Sequence, residues 1–442
     1  MLAWINQYVF GIAVPILLVL GGIFYSIRLR FFYLRRPKRM LAALRGQPHT
    51  EGVSSFRALT LALAGTLGVG NIVGVSAAIY LGGFGAVFWM WISALCAMVL
   101  KYAEIVLAMT HRRHDREGRP HGAAMYYIRD YMKVHGHPLS GKAIALVFAL
   151  FFLLNAFTMG SVIQTRTVVD AMEGIFGLPT LPVGIALALL TAWIIRRGEG
   201  GMAAFCEKLV PIMTLGYLLL SAAVLFVRRD ALPAAFGAIV SDAFSPSSAA
   251  SGVVGFLVSR GLRYGTMRGL VSNEAGCGTA PTAHAVSSCA SPAAQGVFGI
   301  VEVFVDTIVL CTVTALVVIL GWGEAAVCGE NFIMMTITAY GAVLGRFASY
   351  FMGIAVLCFG FGTVICWAHY GRESMRYLRE GKGSERMFVV LYSFSVLLGA
   401  IVDSKAIWQA TDFAVGGMTL INLIFLLLLS GEVKKETERY FH

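Results

Sequence analysis

A short stretch near the start of the chain combines glycines with polar groups in a way suited to ion binding. Residues 64–74 read Ala-Gly-Thr-Leu-Gly-Val-Gly-Asn-Ile-Val-Gly, inside an apolar run from about Phe56 to Tyr80. The length of that run predicts a membrane-spanning helix. Each glycine weakens a helix by up to about 1 kcal/mol relative to alanine, so the four glycines predict a break at mid-membrane. The freed backbone ends suit charged ligands, because amides attract an anion and carbonyls a cation.

Two simpler interpretations compete with a binding site. The stretch from Gly68 to Gly74 approaches the dinucleotide pattern G-x-G-x-x-G, but its last glycine falls one residue late and no βαβ unit surrounds it. The small residues could instead serve only close helix packing. Asn71 at mid-membrane and a second polar, glycine-bearing stretch, Ser272 to Gly278, favour a binding site.

The composition is that of a multi-span membrane protein. The chain has 442 residues, 58% of them hydrophobic and 13% charged, which predicts about eleven spanning segments. The net charge of +11 resides in alternate loops, a pattern that indicates membrane orientation and argues against nucleic-acid binding. The eight cysteines show no C-x-x-C spacing, so neither a metal centre nor a disulfide framework is expected. No H-E-x-x-H or G-x-S-x-G motif is present on a span, and the chain is not expected to be an enzyme.

Loop charges predict the orientation in the plasma membrane. Seven basic residues follow the first apolar segment between positions 28 and 45, whereas none precedes it. The positive-inside rule therefore places the N-terminus outside and the C-terminal tail in the cytoplasm. The first residues lack the features of a signal peptide. The expected apolar segments lie near residues 8–27, 56–80, 87–109, 143–176, 181–195, 207–227, 252–279, 296–320, 350–370, 388–401 and 407–429.

These segments predict a two-fold internal organisation. Residues 1–55 are predicted to form an extra N-terminal helix and a basic linker, and 431–442 a cytoplasmic tail. Two units of five spans, 56–227 and 252–430, are separated by an extracellular loop at 228–251, and a second outer loop is expected from about 322 to 345. An odd number of spans inverts the second unit. Because each unit begins with an interrupted helix, a transport site is predicted where the two breaks meet.

Several motifs resemble the alanine/glycine:cation symporter family. They are spread over about residues 55–375 and comprise Gly65–Gly74, Gly85–Trp91, Lys101–Glu104, Met125–Ile128, Arg268–Gly276 and Val305–Thr307. The resemblance implies an all-α protein with a leucine-transporter-type 5+5 inverted repeat, working by alternating access. It also implies Na⁺-coupled uptake of small neutral amino acids, alanine or glycine. Val69 replaces an expected threonine, and Cys277 with Thr279 replaces an aliphatic residue and a serine.

The resemblance and the backbone argument together nominate site residues. The substrate carboxylate is expected at the amides of Gly68, Val69 and Gly70, and the ammonium at carbonyls of Val271, Ser272 and Asn273. By resemblance, the side chains expected to face the substrate are Gln164, Thr363 and Trp367. One Na⁺ would use Asn71 and the Thr66 carbonyl. A second would use the groups that meet near Thr363, namely its hydroxyl and the carbonyls of Ala64, Leu67 and Gly360.

Three acids have open roles. Asp306 lies at mid-span, where a carboxylate costs about 2.5–3.5 kcal/mol on insertion scales. It either binds the cation, carries a proton, or forms a structural pair with Arg263 or Arg268. Glu274 is expected to have a structural, gating role. Glu104 is expected to be a solvated or paired interface residue.

Alternatives to Na⁺:alanine symport stay open. A proton could replace Na⁺, with Asp306 as its carrier, and a glutamine-type substrate could replace alanine. A membrane protein of a different class, a non-transporting amino-acid sensor or a channel, would also have polar residues in its spans. A channel, however, calls for a continuous polar lining. The protein is expected to function as a monomer surrounded by lipid.

Overall fold

The computed structural model describes Trp4, Asn6 and residues 10–45, 53–115, 118–244, 260–402 and 405–441. Apart from one β-hairpin with two residues in each strand, the regular secondary structure of these segments is helical. In the first half the helices are α1 (Gly11–Arg28), α2 (Phe32–Arg35), α3 (Pro37–Leu44), α4 (Ser55–Thr66), α5 (Val75–Gly82), α6 (Ala86–Thr110), α7 (Ala124–Val134), α8 (Pro138–Phe157), α9 (Gln164–Phe176), α10 (Thr180–Ile195), α11 (Gly198–Val227) and α12 (Leu232–Ala243). The hairpin pairs β1 (Arg113–His114) with β2 (Pro120–His121) in antiparallel orientation.

The second half contains ten further helices in its described residues. They are α13 (Arg260–Asn273), α14 (Pro281–Ala285), α15 (Pro292–Val303), α16 (Thr312–Leu320), α17 (Trp322–Ala325), α18 (Phe332–Leu344), α19 (Arg346–Leu378), α20 (Lys382–Gly399), α21 (Lys405–Leu428) and α22 (Ser430–Phe441). Three π-helical segments, Gly70–Gly74, Thr158–Ile163 and Phe304–Cys311, precede α5, α9 and α16. Such widened turns frequently occur at functional sites.

The described helices confirm a multi-span membrane protein. Six continuous helical stretches in the described residues are long and apolar enough to cross a membrane, two of them joining two numbered helices through a π-helical segment. The bent pair Ser55–Thr66 and Gly70–Gly82, with 50° between its halves, is a seventh if it forms one span. Three shorter apolar helices are Ala13–Arg28, Thr180–Ile195 and Phe332–Leu344. The count of eleven spans stays a prediction.

Both interrupted helices lie where the glycine patterns predict them. The first break separates α4 from α5. The second separates α13 from α14, and its backbone has positive φ at Glu274 (53°), Gly276 (83°) and Gly278 (77°). Glycine adopts this conformation at little cost, whereas a glutamate there is uncommon. Helix α13 packs closely on α6, because Gly265 has no side chain: a Cβ there would lie 2.3 Å from the carbonyl oxygen of Ala86.

Both predicted outer loops contain helices. The small and polar residues of these loops did not indicate helical structure. Helix α12 lies within the predicted loop 228–251, and α17 and α18 lie within 322–345. Asn331 caps α18 by accepting a hydrogen bond from the Met334 amide. Thr336 then donates to the Ile72 carbonyl at 3.1 Å. This apolar helix is therefore fastened to the first break.

The C-terminal helix α22 is held by a histidine bridge. His111 lies 3.0 Å from Asp130 and 2.9 Å from Glu432. Burial alone would lower the pKa of His111, but hydrogen bonds to Asp130 and Glu432 raise it from 6.5 to about 9. The bridge therefore contributes stability fully below about pH 6.5, progressively less as pH rises, and none above about pH 9.

We expect His111→Gln to remove this pH dependence. Thermal unfolding of the purified protein, measured from pH 6 to pH 10, should show a stability loss in the wild type that the variant lacks. His137→Gln, at an exposed position on the same connecting segment, should behave as wild type. Parallel curves for His111→Gln and wild type would contradict the assigned bridge.

Candidate functional site

A cavity of about 360 Å³ opens beside the first helix break. Its wall includes the predicted residues Thr66, Gly68, Val69, Gly70 and Gln164. Charged and aromatic side chains also line it, namely Asp170, Arg268, Glu330, Trp408 and Asp412. The cavity therefore extends from the backbone of the first helix break to the N-terminal end of α18.

The backbone of the first break is held open by α9. The Gly68 amide bonds the Thr66 carbonyl at 2.8 Å, and the Val69 amide bonds Oε1 of Gln164 at 3.4 Å. A Cβ on Gly68 would lie 2.5 Å from Oγ1 of Thr363. A carboxylate arriving here can replace the Gln164 oxygen as acceptor for the Val69 amide, because both are acceptors of the same geometry.

The two breaks face each other across Gly70. The nearest heavy atom to a Cβ built on Gly70 is the Cα of Ser272, at 3.9 Å. Asn273 is held at the second break by donating to Thr307 and accepting from the Ala275 amide. Val271 lies in α13, and its side chain is outside the described set. The expected carboxylate and ammonium sites are therefore adjacent.

Asp306 lies beside both breaks and is fully buried. Its carboxylate accepts hydrogen bonds from Nδ2 of Asn71 (2.7 Å), Oγ of Ser272 (2.9 Å) and Oγ1 of Thr307 (2.7 Å). Within the described residues it has no ion-pair partner. The expected alternative partner Arg268 lies instead over the ring of Trp408, at 5.8 Å, and the Arg263 side chain is outside the described set.

The side chain of Asn71 gives a second indication of a cation site next to Asp306. Its Oδ1 is buried and has no hydrogen-bond partner among the described residues. Several other buried side-chain atoms of the described residues also lack a partner, so it is the position of this oxygen beside the Asp306 carboxylate that points to an ion. Beside a buried carboxylate without a basic partner, the missing group is expected to be a cation, and hard cations prefer oxygen ligands.

Two of the residues expected at a second Na⁺ site, Thr363 and Ala64, are in direct contact. The Thr363 hydroxyl lies 2.9 Å from the Ala64 carbonyl and 3.1 Å from that of Phe359. Gly360 lies one turn earlier on α19, where a Cβ would come within 3.4 Å of the Val69 side chain. Leu67 ends α4 and is fully buried. The Thr363 hydroxyl is therefore close both to a carbonyl expected to bind the second Na⁺ and to Gly68.

Trp367 does not line the described cavity. It is buried, its indole N–H donates to Oε1 of Glu274 at 3.1 Å, and a Cβ on Gly160 would lie 2.3 Å from its own Cβ. Glu274 also accepts from Thr279. The indole therefore ties the second break to α19, and its contact with substrate stays a prediction.

Sequence reasoning missed a buried ionic network behind the second break. Glu302 accepts from Lys101 (3.4 Å) and lies 3.1 Å from His284, with all three side chains fully buried. Glu104 was expected to be solvated or paired, and the first alternative is wrong, because Glu104 is fully buried and accepts from Asn422 (2.5 Å) and the Gly278 amide (2.8 Å). The sequence did carry one indication of this network: Lys101 and Glu104 are three residues apart, so both lie on the same face of their helix.

Sequence comparison gives full-length matches. The chain matches the family model described as "Sodium:alanine symporter family" over residues 1–442. It is 36% identical to the sodium/alanine symporter AgcS of Methanococcus maripaludis, over 99% of this chain and 96% of that protein. It is 30% identical to the probable sodium/glutamine symporter GlnT of Bacillus subtilis, over 96% and 87% of the two chains.

Structural comparison supports the fold. The crystal structure of MhsT in complex with L-phenylalanine superposes with a TM-score of 0.60 and 15% identity, covering 86% of this chain and 90% of that one. The crystal structure of a mutant manganese transporter of Eremococcus coleocola gives a TM-score of 0.56 and 14% identity over 86% and 78%. The expected leucine-transporter-type architecture is confirmed at the level of the fold.

Proposed function

The chain belongs to the sodium:alanine symporter family, and from this premise we propose that it couples Na⁺ entry to uptake of alanine or glycine by alternating access. It is a membrane transporter and not an enzyme. The observation that carries the ion assignment is the buried pair Asn71 and Asp306: within the described residues, an unpartnered oxygen lies beside a carboxylate without a basic partner.

In this proposal the substrate zwitterion lies between the two breaks. Its carboxylate takes the amides of Gly68, Val69 and Gly70. Gln164 then gives up its contact with Val69, and the Gly68 amide gives up its bond to the Thr66 carbonyl. Its ammonium takes carbonyls of Val271, Ser272 and Asn273. Thr363 and Trp367 on α19 are assigned to the side-chain end of the site, although neither lines the cavity in this structure. The arrangement is supported by the partial charges at the ends of interrupted helices.

Two Na⁺ positions complete the proposal. The first uses Oδ1 of Asn71, the Thr66 carbonyl and the Asp306 carboxylate, next to the substrate carboxylate. The second uses the Thr363 hydroxyl and the carbonyls of Ala64, Leu67 and Gly360. Because the first ion touches the substrate carboxylate, its binding and that of the amino acid reinforce each other.

The membrane arrangement follows the loop charges. We place the protein in the plasma membrane as a monomer, with its N-terminus outside and α22 in the cytoplasm. The extra helix and linker (1–55) precede two inverted five-span units, 56–227 and 252–430. The β1–β2 hairpin and α7 then lie on the cytoplasmic side.

Uptake into proteoliposomes tests the coupling. Labelled alanine should accumulate when Na⁺ outside exceeds Na⁺ inside, and should not accumulate in K⁺-only buffer at neutral pH. Uptake that follows a proton gradient instead would contradict Na⁺ coupling and make Asp306 the proton carrier. Binding of alanine without counterflow would indicate a sensor, and non-saturable flux would indicate a channel.

Substrate size is tested separately by competition. The relatives include proteins named as alanine and glutamine symporters. A cavity of about 360 Å³ is large enough for either amino acid. We expect unlabelled alanine and glycine to compete with labelled alanine more strongly than glutamine does. Strong competition by arginine or glutamate would contradict a neutral pocket, since either adds a net charge.

A further inference from the structure

Arg372, near the C-terminal end of α19, is a buried arginine with no carboxylate within 4 Å in the described part of the chain, and Glu385 acts on it only from a longer distance. The residue is 9% exposed. One guanidinium nitrogen, Nη2, donates to the Ile195 carbonyl at 3.3 Å, whereas Nε is buried without a hydrogen-bond partner among the described residues. Desolvating a guanidinium donor without a partner is costly. The simplest interpretation, an arginine that caps the end of α10, explains Nη2 and leaves Nε unexplained.

Arg372 lines a cavity of about 250 Å³ between the ends of α19 and α20, here called the Arg372 cavity. Five cationic residues and three acidic ones line it, in chain order Asp115, Arg119, Arg372, Arg376, Arg379, Glu380, Lys382 and Glu385. Some of these charges are already engaged. Asp115 pairs with Arg119 at 2.8 Å, and Arg376 pairs with Glu199 and Glu373. Of the five cations that line the cavity, Arg372, Arg379 and Lys382 have no ion-pair partner within 4 Å among the described residues.

The N-terminus of α20 opens into the same cavity. Gly381, its N-cap residue, has no side chain to bond the first-turn amides, and it lines the cavity with Lys382 and Ser384. An uncapped helix N-terminus attracts anions through its amides and its dipole. Arg372 lines the same cavity, so its guanidinium and the first amides of α20 can bind one phosphate-type anion, although the enclosed Nε atom is itself out of reach from the cavity.

The surroundings of α20 indicate where the anion comes from. Directly after its N-terminus, α20 exposes apolar side chains at Met387, Val390, Leu391 and Phe394. Exposed apolar side chains on a membrane helix contact acyl chains. The positive-inside rule assigns this end of α20 to the cytoplasmic leaflet, where anionic lipids attract basic residues. A phospholipid can therefore place its phosphate in the cavity and its chains along α20.

We propose that the Arg372 cavity binds the phosphate of an anionic phospholipid. Arg372 and the first amides of α20 hold the phosphate, while Arg379 and Lys382 add positive charge at the entrance. Glu385, in the first turn of α20, and Glu380 also line the cavity, so a headgroup with one negative charge is expected to bind better than one with several. This site is separate from the transport site, so its occupancy can be tested without measuring transport.

Lipid binding by the purified full-length protein tests the proposal. Native mass spectrometry should show tighter binding of dioleoyl-phosphatidylglycerol than of dioleoyl-phosphatidylcholine. Arg372→Gln should weaken phosphatidylglycerol binding about tenfold or more, the loss expected for one charge-assisted hydrogen bond. The double variant Arg379→Gln with Lys382→Gln alters only residues of the rim, so it keeps the test valid if Arg372→Gln fails to fold. It should weaken the same binding with a lower salt dependence.

Two controls separate the outcomes. Lys208→Gln removes one exposed positive charge from α11, outside the cavity, and should leave phosphatidylglycerol binding unchanged. Inorganic phosphate at millimolar concentration should not displace the lipid. Equal binding of the two lipids, or equal phosphatidylglycerol binding by all variants, would overturn the proposal. Displacement by inorganic phosphate would overturn the lipid assignment in favour of a free-phosphate site.

Discussion

Replacing Asn71 with leucine is expected to abolish Na⁺-dependent alanine uptake while leaving the protein folded. The variant loses the unpartnered Oδ1 that we assign to the ion, together with the donor that orients Asp306. An ordinary interhelical hydrogen bond in a membrane averages only about 0.6 kcal/mol, so the fold should lose little. The loss should therefore appear in uptake and Na⁺ affinity, measured in proteoliposomes, and only slightly in thermal stability.

Two companion variants sharpen this test. Asn71→Asp keeps an oxygen and should retain partial uptake with an altered cation preference. Asn155→Leu removes another fully buried asparagine, whose Oδ1 is likewise unpartnered but whose Nδ2 contacts Sδ of Met418 instead of a carboxylate, and should leave Na⁺ dependence intact. Near-wild-type, Na⁺-dependent uptake by a well-folded Asn71→Leu protein would mean that the ion does not bind at Asn71.

Gly68→Ala is the second variant for which a large loss is expected. The added Cβ would lie 2.5 Å from Oγ1 of Thr363 and 3.3 Å from Oε1 of Gln164. Thr363 cannot yield freely, because its hydroxyl is bonded to the Ala64 and Phe359 carbonyls. Overpacking of this kind costs about 1–3 kcal/mol and displaces groups expected at both the substrate and ion positions.

The matched control lies on the same wall of the cavity. A Cβ built on Gly74 meets no atom within 4 Å, so Gly74→Ala should keep its folded structure and most of its uptake. The measurement is initial uptake rate at saturating Na⁺, with thermal stability recorded for both variants. Equal uptake by Gly68→Ala and Gly74→Ala would show that the first break is not part of the transport site.

The positions of the two breaks could be predicted from sequence because glycine has a local, physical effect on a helix. The stretch around Gly68 and the one around Gly276 both contain residues that destabilise a continuous helix, and both proved to be breaks. That Asp306 would lie beside Asn71 could not be read from spacing, since 235 positions separate them. The cost of a carboxylate at mid-span indicated only that Asp306 needs a partner, and it did not identify that partner.

Other features depend on packing that a hydropathy pattern does not contain. A charged residue near a span end can extend to water or turn inward, and composition does not distinguish the two. Glu104 and Lys101 turn inward because α15 and α21 supply Glu302 and Asn422 as partners. Helix α18 was missed for a related reason: its apolar face is covered by the first break, through contacts such as Thr336 to Ile72.

The central claim is that Na⁺ and the amino acid share one site at the two helix breaks. Its most direct test is the affinity of the purified protein for alanine as a function of Na⁺ concentration, with the reciprocal titration of Na⁺ at fixed alanine. Linked binding requires that Na⁺ raise alanine affinity and that alanine raise Na⁺ affinity by the same factor. We predict this reciprocal increase in the wild type and its loss in Asn71→Leu. Alanine affinity that is identical in Na⁺, K⁺ and choline would contradict the account.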